Sequence, residues 1–174
     1  MIFSPRFLPA AALAATVLLA GCGKQAGEVP AVPVNITAGT TCVLDGMLLA
    51  NFPGPKAQIL YDGAAEPDFF CDTVEMFNVY LQPEQARRVR AVFVQDMGKA
   101  DWNKPRGHWI DATQAFYVLG SDARGSMGPT IAAFAQEADA RTFAKAHGGK
   151  VATFNEVTPD QVVLDGGVLK DHKM

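Results

Sequence analysis

The segment Cys42-Val-Leu-Asp-Gly-Met47 places a thiol, a carboxylate and a thioether on one short turn. Soft sulfur donors of this kind select monovalent copper over hard ions. Gly46 can adopt backbone conformations closed to most residues, which would let both sulfurs face one point. The same residues also read as an ordinary turn, with Asp-Gly at its corner and Met47 opening a buried strand. Cys71 is either a further thiolate or, in an oxidising compartment, the partner of Cys42 in a structural disulfide. His108 lies in Pro105-Arg-Gly-His-Trp-Ile-Asp111. It is a borderline ligand suited to copper or zinc, or else a surface histidine beside a packed tryptophan. Met127 sits in Gly120-Ser-Asp-Ala-Arg-Gly-Ser-Met-Gly128, where a large apolar side chain has little core to fill. It reads as a ligand carried by a loop, with core filler as the alternative. Met76 lies on the apolar stripe of an expected helix and belongs to the core. His147 occupies a last helical turn, where a cation is favoured in any case. The glycines of 120–128 lack the lysine of a phosphate loop, and no CxxC pair or nucleophile elbow occurs.

These residues must be carried to their compartment and held there. The 174-residue chain opens with Arg6 and an apolar run from Phe7 to Ala20, the pattern of a signal-peptide core. The run is short for a membrane span. It ends in Leu19-Ala20-Gly21-Cys22, similar to a bacterial lipoprotein box, in which the cysteine is lipidated after cleavage. Residues 1–21 are thus expected to be a lipoprotein signal peptide and Cys22 the lipid attachment point. Gly23, where aspartate would favour inner-membrane retention, points to the outer membrane, facing the periplasm. Residues 22–41, rich in Gly, Pro, Ala and Val, read as a flexible tether. A net charge of −3 and the absence of any basic run argue against nucleic acid as a partner.

The elements that position the candidate ligands follow one order twice. Ala57–Tyr61 and Pro67–Cys71 read as strands, and Asp72-Thr-Val-Glu75 is a helix start with a cap and a carboxylate three residues on. Met76, Phe77, Tyr80 and Leu81 form its buried stripe; Pro83 interrupts or restarts it, and Ala91–Gln95 is a strand. In the second half Ala115–Leu119 and Thr130–Phe134 are strands. Glu137–His147 is an amphipathic helix with Ala140, Phe143 and Ala144 inward, closed by Gly148-Gly149, and Val151–Phe154 is the last strand. The expected fold class is α+β, with two packed ββαβ units in one compact domain over residues 42–157, followed by a tail over 158–174.

Taken together, Cys42-Val-Leu-Asp-Gly-Met-Leu-Leu, Gly54-Pro-Lys-Ala-Gln-Ile, Phe70-Cys-Asp-Thr, His108-Trp-Ile-Asp-Ala, Ala115-Phe-Tyr-Val and Gly125-Ser-Met-Gly-Pro closely resemble the NosL family. The resemblance runs from about Thr41 to Val157. It implies a periplasm-facing lipoprotein, not an enzyme, that supplies copper for maturing nitrous oxide reductase. It further implies a double ββαβ fold, itself similar to that of organomercurial lyases. The implied partners are the nitrous oxide reductase apoenzyme and its membrane assembly complex, with the membrane itself reached through the lipid. On this reading Cu(I) binds Cys42, with Met47 or Met127, and His108 or Cys71 completes a low-coordinate site. Many relatives carry a second cysteine where this chain has Asp45. That oxygen donor suits a second, harder ion such as Zn(II), held by Asp45 and His108. Two rival readings are a structural lipoprotein with a Cys42–Cys71 disulfide and no metal, and a mercury–carbon lyase suggested by fold analogy alone.

Overall fold

The computed structural model describes residues 1–2 and 30–164. The expected signal peptide, Cys22 with its lipid, and the end of the expected tail lie outside the described residues. Chain contacts separate Met1–Pro30 from one unit, Ala31–Met174, which contains every element named below.

Alternation in Ala57-Gln-Ile-Leu-Tyr61 produces β1, with Ala57, Ile59 and Tyr61 directed to the core. A turn through Asp62-Gly63 returns the chain as β2, Asp68–Phe70, paired antiparallel to β1. Helix α1, Thr73–Tyr80, begins where the Asp72 side chain accepts a hydrogen bond from the Val74 N–H. Its Met76 and Phe77 are wholly buried. The helix stops before Pro83, and β3, Val89–Gln95, runs along the other side of β1. A further strand, β4, Trp109–Asp111, extends the sheet to the order β2-β1-β3-β4.

The second unit repeats the plan. Its strands are β5, Phe116–Leu119, then a two-residue hairpin of β6, Arg124–Gly125, and β7, Gly128–Pro129, then β8, Ala132–Phe134. Helix α2, Glu137–His147, precedes β9, Lys150–Thr153, and the sheet order is β8-β5-β9. In each sheet the unit's first strand is flanked by its second strand and by the strand that follows the helix. The duplicated ββαβ plan is therefore present in topology as well as in element order. The β6–β7 hairpin is an insertion peculiar to the second unit.

Within Ala31–Met174 a single core joins the two ββαβ halves. Phe77 of α1 meets Tyr117 of β5 edge-on, with ring centroids 5.0 Å apart, and Phe154 at 5.2 Å. The Thr73 hydroxyl donates to the Ile131 carbonyl across the same junction. Fully burying aromatic side chains such as these is worth about 2–3 kcal/mol each. Helix α2 covers the opposite face of the second sheet, where Ala140 joins Val118, Ala132 and Phe134. Acidic residues in its first turn and Lys145 and His147 in its last complement the helix dipole.

Residues on both sides of the 42–157 span make contacts with the core. Val34 exchanges two hydrogen bonds with the buried Gln58 amide, at 2.8 and 3.0 Å, and Ile36 is buried. A glutamine at a buried strand position needs such a partner. At the other end Val162 is buried and its carbonyl accepts from the Asn78 amide, so the core continues past Val157.

Candidate metal centre

The Cys42–Met47 segment folds as a tight loop pinned at both ends. The Cys42 N–H donates to the Met47 carbonyl at 2.8 Å, and Thr41 bridges to Leu48. At the corner Gly46 has φ +75°, a left-handed conformation that glycine adopts without cost. The Asp45 carboxylate accepts from the Met47 N–H at 2.9 Å, which fixes the loop from within. The Val43 N–H donates to the Phe69 carbonyl at 2.8 Å, seating the loop beside the end of β2. That contact brings Cys42 to Cys71, the residue that follows β2.

Both cysteines are buried and both are free thiols, in place of the disulfide that the structural alternative requires. Cys42, Asp45, Cys71 and Glu75 each offer a donor atom, and these four atoms lie within 4.8 Å of one another. Oε2 of Glu75 is 3.3 Å from each sulfur and accepts from the Cys71 N–H at 3.1 Å. Three members of the group are buried, whereas Asp45 is exposed and leaves one side open to solvent. Met47 is half-buried and packs on the apolar cluster of Cys42, Cys71, Leu49 and Ile36, together with Phe69 and Trp109.

Crowding these groups redistributes their protons. A hydrogen bond from the Cys71 side chain lowers the Cys42 thiol to about 6 against the opposing effect of burial, and the N–H groups of Cys71, Leu44 and Asp45 assist. Cys71 is pushed up, first by that same hydrogen bond to Cys42 and then by burial, so it retains the shared proton. Burial, followed by the negative charge of Cys42, raises Glu75 to about 7. Asp72 is buried and raised to about 6, because desolvation outweighs the hydrogen bonds that it accepts from Thr130 and Val74. A counter-cation is built in. Lys56 is 0% exposed, and its Nζ donates to the carbonyls of Pro53 and Cys71 at 2.7 and 2.9 Å and to the Ser126 hydroxyl at 3.2 Å. Burial lowers it to about 8, while Asp72, Cys71, Glu75 and Cys42 pull in the other direction.

The inserted hairpin is locked to this centre. The Ser126 hydroxyl donates to the Cys71 carbonyl, and the Trp102 indole donates to the Arg124 carbonyl at 3.1 Å. Glycines permit the approach: a Cβ on Gly54 would lie 2.7 Å from the Gly125 Cα, and one on Gly125 would lie 2.1 Å from Asp72 Oδ2. Met127, next to Ser126, is 41% exposed. Among the described residues it belongs to no apolar cluster. His108 is exposed, has φ +52°, and accepts from the Asp96 N–H through its carbonyl at 2.8 Å. It lies outside the group of four, although its neighbour Trp109 packs on the cysteine cluster.

Two members of the centre escaped sequence reasoning. Glu75 fits the carboxylate position of a capping box, but its oxygens turn to Cys71 and the two sulfurs. The spacing Cys71-Asp-Thr-Val-Glu75 across a helix start, with a thiol four residues before a carboxylate, was the available clue. Lys56 carried no local pattern, because its acceptors come from residues 53, 71 and 126.

The family model described as NosL matches residues 33–162. The chain is 40% identical over 156 residues to the copper-binding lipoprotein NosL of Stutzerimonas stutzeri, covering 88% of this chain and 80% of the relative. It is 38% identical over 155 residues to the copper-binding lipoprotein NosL of Achromobacter cycloclastes, covering 87% and 79%. The crystal structure of the copper chaperone NosL from Shewanella denitrificans superposes with a TM-score of 0.73 at 37% identity, covering 76% of this chain and all of that one.

Proposed function

Because this chain belongs to the NosL family, we propose that it carries Cu(I) between Cys42 and Cys71 and passes it on for assembly of the copper centres of nitrous oxide reductase. One observation carries the reading: two buried free thiols share a 4.8 Å group with two carboxylates, and a thioether packs beside them. A soft monovalent ion takes its affinity from the sulfurs, with Met47 and Met127 as further thioether donors. Cys42, lowered to about 6, is a thiolate at neutral pH and is ready to bind. The open side at Asp45 is the route for entry and exit, and His108, outside the group of four, is a further borderline donor.

Delivery needs a docking surface as well as a ligand set. Val43, Leu44 and Leu48 on or beside the Cys42–Met47 loop, and Met127 on the hairpin bonded to Cys71, are exposed apolar residues. Such a rim excludes water from a transfer contact while the ion changes ligands. The recipient is the reductase apoenzyme or its membrane assembly complex. Lipid attachment at Cys22 would hold the chain on the outer membrane, facing the periplasm, and raise its concentration near membrane partners. A second, harder ion such as Zn(II) would take Asp45 and His108 as its donors, apart from the thiolate pair that carries Cu(I).

Competition of the chain against a Cu(I) chelator tests this function. Cys42→Ser should abolish tight binding, since a neutral hydroxyl is a poor ligand for a soft ion. Retention of wild-type affinity by that variant would exclude the site.

A further inference from the structure

The donor set presents a problem that the family reading leaves open. Two thiols and two carboxylates within 4.8 Å form a good tetrahedral site for Zn(II). A Cu(I) carrier built this way needs something that disfavours divalent ions. Lys56 has the required chemistry. Its Nζ has three acceptors, Pro53 O, Cys71 O and Ser126 Oγ, each within 3.2 Å. A neutral amine has only two hydrogens, so three acceptors call for the ammonium form. The charge is wholly buried, where a cation is costly unless it is compensated. Its compensation is the adjacent acidic cluster, in which Asp72, Glu75 and the Cys42 thiolate act on it.

We infer that Lys56 is the specificity-determining residue of the centre: its buried ammonium, bonded to the backbone of the ligand Cys71, biases the donor group toward monovalent and against divalent cations. The inference rests on the Cu(I) reading of Cys42 and Cys71. Repulsion from a fixed positive charge scales with the charge of the incoming ion. A divalent ion therefore meets twice the penalty of a monovalent one at the same position. Burial keeps the effect from being screened by salt. The ammonium's contact with Ser126 also joins the selectivity charge to the hairpin that carries Met127.

The test measures Cu(I) and Zn(II) affinities separately, by competition titration on the full chain, for wild type, Lys56→Gln, Lys56→Met and Ser126→Ala. Removing the charge should raise the Zn(II)-to-Cu(I) affinity ratio by about tenfold or more, as expected for loss of a buried unit charge near the ion. Ser126→Ala removes one acceptor but leaves the charge, so its ratio should equal that of wild type. A purely structural Lys56 would weaken both ions equally in all three variants, and an unchanged ratio in the neutral variants overturns the inference. If neither neutral variant keeps a cooperative melting transition, Lys56 serves folding, and the inference likewise fails. A wild-type chain that does not bind Cu(I) would instead refute the underlying reading, and this would be evident before any variant is compared.

Discussion

Replacing Glu75 with glutamine keeps the side chain's length and its acceptor for the Cys71 N–H but removes a buried carboxyl from beside two sulfurs. Glu75 stands at about 7 in the folded chain, against 4.5 for an ordinary glutamate. An acid with a raised folded-state value binds its proton more tightly when folded. Stability therefore falls as pH rises from about 4.5 to about 7 and stays reduced above that window. The unscreened value of such a shift is roughly 3 kcal/mol. Solvent reaching the site past the exposed Asp45 screens part of it, leaving about 1–2 kcal/mol. Glutamine carries no such cost. Glu75→Gln should thus melt with wild type at pH 4.5 and about 2–8 °C above it at pH 8. Scanning calorimetry of the metal-free chain at a series of pH values from 4.5 to 8 measures the difference. A variant that melts below wild type by a constant margin at every pH would refute the reasoning. It would mean that the carboxylate stabilises the thiols instead of repelling their charge.

Met127→Leu nearly conserves volume, so it should change stability by less than about 1.5 kcal/mol while weakening Cu(I) in competition titrations; unchanged affinity would remove Met127 from the ligand set. Gly125→Ala forces a Cβ to within 2.1 Å of Asp72 Oδ2 and should cost about 2–3 kcal/mol by calorimetry, since the hairpin must lift from the centre. Above the lowered Cys42 value of about 6, Cu(I) displaces only the proton held by Cys71. The logarithm of the apparent affinity should then rise by about one per pH unit between pH 7 and 8, where two ordinary thiols would give nearly two.

Much of the architecture was legible because it rests on local periodicity. Alternation in Ala57–Tyr61, the apolar stripe of α1 and the amphipathic Glu137–His147 all reappear as structure. What could not be read locally was what required a distant partner. Gln58 makes residues near Val34 part of the fold, and nothing within Ala31–Val34 announces that. The extra β6–β7 hairpin was legible only as a glycine-rich loop, because two-residue strands carry no period. At the centre, the sulfurs Cys42 and Cys71 were legible from residue type. Glu75 was concealed by a second, equally good explanation as a helix cap. Lys56 was concealed because a buried lysine looks like a surface lysine until its three acceptors are in place.

X-ray absorption at the copper edge of the Cu(I)-loaded chain, compared with Cys42→Ser and Cys71→Ser, tests the central claim most directly. The account predicts a first shell dominated by sulfur that loses one sulfur scatterer in each variant. A shell of nitrogen and oxygen in the wild type, or one unaltered by both substitutions, would contradict it.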